Sequence, residues 1–205
     1  MDDARPDERC LAFELAGTIG HDGNGGVADD LSTPLQLTEW LCERSELLED
    51  AADPSFTADE AALSAVVSIR QAVRALFARA VSPAPPSSAD AHRLIPAEEA
   101  LNRLNTAALE VPTISQLSWP TGDSPQLRTV VRTPAAEPVE LLTAALARSA
   151  IDFLAGPRRE LLRACTAPRC VRYFLQGHGR QEFCKPSCSN RARAARHYQR
   201  RSSQV

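Results

Sequence analysis

Apolar residues recur every three or four positions along much of the chain, and the clearest run begins near Thr57. Thr57 and Glu60, three residues later, form the pattern of a capping box, in which two side chains satisfy free amides at a helix start. Apolar side chains then return at helical spacing as far as Phe77, which predicts a core helix. We expect its arginines to face solvent: Arg70, Arg74 and Arg79.

The same periodicity predicts three more helices, over residues 32–48, 96–110 and 136–154. Cys42 lies on the apolar face of the first, where we expect a buried free thiol. Residues 113–132 alternate apolar and polar side chains around a Pro/Gly turn, which predicts a β-hairpin. No long unbroken apolar run and no secretory signal pattern occurs, so we expect no membrane span and a cytoplasmic protein.

Charge is distributed unevenly along the chain. Residues 157–205 carry 12 cations and two anions, a net charge of +10, so the preceding residues carry −13 of the total of −3. A basic segment of this kind indicates contact with nucleic acid or another acidic surface. The alternative is that the opposite charges hold the two parts of the chain together. Gly156 and Pro157 end the helix predicted over 136–154 where the basic segment begins, which predicts a domain boundary.

Four of the six cysteines lie in this basic segment: Cys165, Cys170, Cys184 and Cys188. Two close pairs joined by a longer segment have the ligand spacing of a tetrahedral zinc site. Four thiolates close the metal shell, so the spacing predicts one structural Zn²⁺ per chain rather than a hydrolytic centre. Disulfides and a redox switch that releases zinc are the alternatives. His178 is a candidate replacement ligand, although its position in a turn favours an exposed side chain.

The segment between the cysteine pairs carries strand signals. Residues 171–175 are β-branched and aromatic, a Gln-Gly-His-Gly turn follows, and residues 180–183 return towards Cys184. This pattern predicts a hairpin, with residues 160–164 as a candidate third strand. A region this short buries little apolar surface, so we expect metal binding to supply much of its folding free energy.

The sequence after Cys188 is rich in Ala and Arg and free of Pro and Gly, which favours a helix. At about 100° per residue, three arginines fall in a stripe about 60° wide, and three other residues fall on the opposite, packing side. The stripe, predicted to contact DNA, consists of Arg193, Arg196 and Arg200, and the packing side of Cys188, Ala195 and Tyr198. Arg201 and Lys185 are predicted as flanking phosphate contacts.

Arg191 falls on the packing side of the same helix, so we expect it to brace the cysteine cluster, with Asn190 steadying the adjoining turn. An ordinary solvated face, or a contact with the acidic first part of the chain, is the alternative for the arginine stripe. Nucleic acid is favoured because an ordered row of cations matches the repeated negative charge of phosphates.

These residues together resemble the CGNR zinc finger, in which two cysteine pairs bracket an aromatic strand and a Cys-Gly-Asn-Arg motif opens a basic helix. Here the motif is Cys188-Ser189-Asn190-Arg191, and "YFL" at 173–175 matches the aromatic strand. The preceding part resembles the ABATE domain, since "LAFELAGTIG" is similar to its opening segment and "DDLSTPLQLTEWL" to its first helix. Ser189 replaces the motif's glycine, so we expect a strained or altered backbone there.

The resemblance implies a bacterial transcription regulator with a suspected role in stress response. We therefore predict a mainly α fold, with an ABATE-like helical domain containing a small β-hairpin at 8–156. A CGNR-like zinc module of treble-clef or ribbon type, with a terminal basic helix, is predicted at 158–201.

DNA is the expected partner of this chain, and a homodimer and a small-molecule effector are further candidates. The main alternative is a zinc-dependent protein-interaction adaptor without sequence-specific DNA binding. We expect no enzyme, because the sequence shows no Ser/His/Asp set, carboxylate pair or cofactor loop.

Overall fold

The computed structural model describes residues 10–22, 26–48, 55–90, 93–132 and 136–202. Its helices are α1 (Leu11–Gly17), α2 (Pro34–Cys42), α3 (Ser45–Leu48), α4 (Glu60–Val81), α5 (Ala97–Glu110), α6 (Pro138–Ala155) and α7 (Pro186–Ser202). Its strands are β1 (Ile19–His21), β2 (Val27–Asp29), β3 (Thr113–Ser118), β4 (Gln126–Val131), β5 (Leu162–Ala164) and β6 (Tyr173–Leu175). The predicted fold class is confirmed: helices dominate, the hairpins are small, and a basic helix follows a cysteine cluster.

The described strands form three separate antiparallel pairs, β1 with β2, β3 with β4 and β5 with β6. β3 and β4 are the predicted hairpin, in register from Thr113 opposite Val131 to Ser118 opposite Gln126. The sequence pattern does not predict β1–β2, because a strand of three residues offers too few alternating positions to be recognised.

The core is built around α4, which packs against α1, α5 and α6. Phe77 of α4 is fully buried, and the rings of Phe13, Phe153 and Tyr173 lie 5.2, 5.3 and 5.5 Å from its ring centre. These are the tilted and edge-on contacts that aromatic rings prefer. Tyr173 belongs to β6, and Leu162 of β5 is buried in the same core. The strands of the cysteine segment therefore pack on the helices.

The start of α4 differs from the prediction. The helix begins at Glu60, and its N-cap is Asp59, whose side chain accepts a hydrogen bond from the Ala62 amide at 2.8 Å. Thr57 is therefore not the N-cap. Aspartate caps a helix as well as threonine does, so residue type alone could not choose between the two positions.

The predicted helix over 32–48 forms two helices, α2 and α3. Thr33 is the N-cap of α2: its hydroxyl accepts the Gln36 amide at 3.3 Å, and the Gln36 side chain accepts the Thr33 amide at 3.0 Å. Cys42 is the last residue of α2 and is exposed, so the prediction of a buried thiol is wrong. The buried face of α2 consists of Leu37, Trp40 and Leu41, and Cys42 lies off that face.

Arg70 and Arg74 of α4 are buried, each 4% exposed, which contradicts the expectation that they face solvent. Arg70 donates two hydrogen bonds to the Asp29 carboxylate, both of 2.6 Å. Arg74 donates to the two oxygens of Asp90 at 2.7 and 3.0 Å. A buried guanidinium is stable only where a carboxylate and further acceptors replace its water. Arg79, near the end of α4, is exposed as expected.

By length and composition alone, α4 could cross a membrane. In the fold, 67% of its most apolar window is buried inside the protein. Packing against α1, α5 and α6 accounts for much of this apolar character, because the face of a helix turned to the core is apolar.

Candidate metal centre and nucleic-acid interface

The four cysteines predicted to bind zinc converge on one point, with all four Sγ atoms within 4.8 Å of one another. The Sγ atom of Cys184 lies 3.7 Å from that of Cys170 and 3.5 Å from that of Cys188. A tetrahedral site with Zn–S bonds of about 2.3 Å requires sulfur–sulfur separations of about 3.8 Å. The cysteines are therefore positioned to bind one metal ion, and their spacing fits one structural Zn²⁺.

Crowding of the thiols changes their proton affinity. Hydrogen bonding with Cys170 and Cys184 lowers the pKa of Cys165 to about 3, whereas hydrogen bonding with Cys165 raises the pKa of Cys184. Four thiolates this close repel one another, so full deprotonation requires a cation among them. Zn²⁺ suits this donor set, and a shell of four thiolates leaves no position for a reacting water. The site is therefore structural in character.

The first cysteine pair is held by a tight turn after β5. The Cys165 amide donates to the Arg172 carbonyl and the Cys170 amide to the Ala167 carbonyl, both at 2.9 Å. Between the cysteines, Arg169 has a φ of 62°, in the left-handed region. A side chain makes this conformation unfavourable by about 1–2 kcal/mol. The chain reversal lets the two cysteines share one metal ion.

The second cysteine pair is held by α7. Cys184 lies just before the helix, and Cys188 lies in its first turn, where it is fully buried. Arg191 donates from Nη2 to the Cys188 Sγ at 3.1 Å. A guanidinium beside a thiolate ligand offsets part of the negative charge of a Zn²⁺–tetrathiolate group. Asn190 is exposed, and its side-chain oxygen lies 3.3 Å from the Arg193 guanidinium.

The hairpin predicted between the cysteine pairs does not form, because residues 180–183 are not a strand. β6 pairs instead with β5, the candidate third strand, with Leu162 opposite Leu175. Gln181 holds the returning loop: its side-chain oxygen accepts the Gly177 amide at 2.8 Å, and its carbonyl accepts the Gln176 side chain at 3.0 Å. Side-chain hydrogen bonds thus replace the backbone hydrogen bonds of the hairpin that the sequence pattern predicts.

α7 is anchored at its N-terminal half and exposed at its C-terminal half. Cys188 and Ala192 are buried, and Ala195 is half-buried. Tyr198, predicted to pack inward, is 78% exposed, because the small cysteine module ends before the helix does. The predicted DNA-contacting side chains are all exposed: Lys185, Arg193, Arg196, Arg200 and Arg201. His178 is also exposed and lies outside the metal cluster.

Ser189 takes the place of the motif's glycine without strain. It lies in α7, and its amide donates to the Lys185 carbonyl at 3.3 Å. Among the described residues, Arg169 and not Ser189 is the non-glycine residue with a positive φ. The expected backbone strain at Ser189 is therefore absent, because a helical position does not need glycine.

A hydrogen-bond network that no local sequence pattern predicts connects the metal centre to α4. Arg74 of α4 and the Ser87 hydroxyl both donate to the Val171 carbonyl, at 3.3 and 2.8 Å. The neighbouring Ser88 hydroxyl donates to the carbonyl of the ligand Cys170 at 3.0 Å. Buried polar groups that are fully paired fix the geometry around them. The backbone leaving Cys170 is thus positioned by the helical core.

Two protein families match successive parts of the chain. ABATE, described as "Putative stress-induced transcription regulator", matches residues 10–157. The CGNR zinc finger matches residues 161–201. These matches confirm the resemblance drawn from the cysteine motif and the first helices, and neither is an enzyme family. A search of the curated proteins found no match.

Proposed function

Since the chain belongs to the ABATE family and carries a CGNR zinc finger, we propose that it is a DNA-binding transcription regulator that acts in stress response. In this proposal the zinc module, residues 158–201, presents α7 to DNA. The helical domain, residues 8–156, senses a small molecule or forms a homodimer. The protein acts in the bacterial cytosol, at the nucleoid.

The observation that carries the proposal is the combination of an anchored helix and an exposed row of arginines. Cys188 is fully buried in the metal cluster, so the N-terminal half of α7 has a fixed orientation. Arg193, Arg196 and Arg200 project from that helix into solvent. Arginines held in line on a rigid helix suit contacts with phosphates and with guanine edges in the major groove.

The flanking cations extend this surface at both ends of the helix. Lys185 lies next to the first residue of α7, and Arg201 lies in its last turn. Both are exposed, so both are free to contact phosphates on either side of a groove occupied by α7. In this proposal Arg191 instead supports the metal cluster through Cys188.

Two features support the proposed roles of the helical domain. A cleft of about 570 Å³ lies between α6 and the base of the β3–β4 hairpin, and its lining includes Leu141, Val131 and Arg148. Its size and mixed lining suit a small-molecule effector. Burial lowers the pKa of Arg148, with Asp152 opposing the shift.

The far end of the hairpin is exposed and apolar, which suits pairing with a second copy of the chain.

Selection of bound sequences from a random duplex DNA pool, run with zinc-loaded and with chelated protein, tests the proposal. A regulator enriches a defined sequence with zinc and loses that enrichment after chelation. A protein that enriches no sequence, but captures a protein partner even after nuclease treatment, is the zinc-dependent adaptor instead.

A further inference from the structure

A second group of cations faces α7 across a cleft. The cleft has a volume of about 690 Å³ and lies between the loop that precedes α7 and the part of that helix from Pro186 to Arg196. Its lining includes four cations, Arg180 and Lys185 on the loop side and Arg193 and Arg196 on α7. Glu182 and the metal-cluster residue Cys184 are the acidic groups among the described lining residues, and the four cations outnumber them, so the cleft carries a net positive charge.

We propose that this cleft holds a phosphate of the DNA backbone and that Arg180 is a phosphate contact opposite α7. The inference rests on the proposed function and extends it, because Arg180 lies outside the basic helix. The DNA backbone would then cross α7 at Arg193 and Arg196, which line the cleft. Arg200 does not line the cleft and remains available for a contact further along the groove.

The charges around the cleft suit a phosphate because they are positive and lie on two of its walls. Cations on two walls surround an anion better than a single row does, because each brings its own hydrogen-bond donors. α7 is 17 residues long, and Pro186, its first residue, lines the cleft. The positive end of the helix dipole adds to the attraction.

The loop that carries Arg180 is held in position before any ligand arrives. The Gln181 carbonyl accepts the Gln176 side chain, and the Gln181 side chain accepts the Gly177 amide. The same Gln181 side chain donates to the Phe183 carbonyl at 3.2 Å. A loop fixed in this way loses little conformational entropy on binding, so Arg180 is a pre-positioned contact.

The inference is tested by measuring the dissociation constant for a 20-base-pair duplex of mixed sequence between about 50 and 200 mM salt. Arg180→Ala should weaken binding and reduce the slope of log K against log salt by about 0.9. The matched control is Arg159→Ala, which removes an exposed arginine of the same basic segment that does not line the cleft. It should leave the slope within error of the parent.

Glu182→Gln provides an independent test with the opposite sign. Loss of this carboxylate from the cleft should tighten DNA binding, whereas a residue with a merely structural role would leave it unchanged or weaken it. Zinc content and circular dichroism confirm that each variant is folded.

The outcomes separate the two proposals. If the parent binds DNA and Arg180→Ala behaves like Arg159→Ala, the cleft inference is overturned and the proposed function stands. If the parent does not bind duplex DNA at all, the proposed function fails, and the inference fails with it.

Discussion

Arg74 of α4 and Tyr173 of β6 meet at one buried carboxylate. The Tyr173 hydroxyl donates to Asp90 Oδ2 at 2.7 Å, Arg74 Nε donates to Asp90 Oδ1 at 2.7 Å, and the guanidinium carbon lies 5.3 Å from the tyrosine ring centre. Burial raises the pKa of Tyr173, and the charge of Asp90 raises it further. Because Tyr173 lies between the two cysteine pairs, this contact joins the metal module to the core.

Removal of the Arg74 charge should therefore destabilise the whole protein. In Arg74→Met, the Asp90 carboxylate stays buried without its cation, at a cost of about 3–5 kcal/mol. Urea denaturation of the zinc-loaded protein measures this loss. Arg79→Met, an exposed position on the same helix, should change the free energy of unfolding by no more than about 0.5 kcal/mol. Equal effects of the two substitutions would contradict the assigned role of Arg74.

Zinc removal should loosen the helical core as well as the cysteine module. Leu162, Tyr173 and Leu175 belong to the main core, and their strands are held together by the metal-ligating segment. Chelation should lower the melting temperature and speed hydrogen exchange of the α4 amides, and added zinc should restore both. The purified protein should contain about one zinc per chain. Unchanged hydrogen exchange of the α4 amides after chelation would show that the cysteine module unfolds independently of the helical core.

Arg169→Gly should stabilise the protein, because Arg169 is held at a φ of 62°. Glycine adopts this conformation without a steric penalty, and its greater freedom in the unfolded chain offsets part of the gain, so we expect about 0.5–1 kcal/mol. Denaturation of the zinc-loaded protein measures the change. Arg172→Gly, at an exposed position without positive φ, should destabilise instead. A destabilising Arg169→Gly would contradict the account of this turn.

The apolar end of the β3–β4 hairpin should mediate self-association. Leu117 and Leu127 are paired across the hairpin and are 72% and 75% exposed, with Trp119, 66% exposed, beside them. The double substitution Leu117→Ser and Leu127→Ser should shift sedimentation equilibrium to monomer and change stability by no more than about 0.5 kcal/mol. Gln116→Ser, on the other face of β3, is the control. A monomeric parent protein would exclude this homodimer.

The metal centre could be predicted from the sequence because its signal is local. Ligand spacing alone grouped the four cysteines, and their Sγ atoms lie together in the structure. α4, α5 and α6 followed from apolar periodicity for the same reason, since a helix is a short-range pattern. The basic helix after Cys188 was also evident from composition.

The buried arginines could not be predicted, because their partners are distant in the sequence. Arg70 pairs with Asp29 and Arg74 with Asp90, and no local pattern reveals either pairing. Tyr198 was placed on the packing side because helical periodicity gives direction but not the extent of the surface that the helix packs against. The prediction of a strand at 180–183 was wrong because β6 pairs with β5, which precedes the first cysteine pair in the sequence.

The salt dependence of DNA binding tests the central claim most directly. The parent protein and the triple variant Arg193→Ala, Arg196→Ala and Arg200→Ala, both zinc-loaded, would be titrated with duplex DNA across a salt series. We predict that the variant binds more weakly and that its slope is reduced by up to about three units. A variant that matches the parent in affinity and slope would show that α7 does not contact DNA.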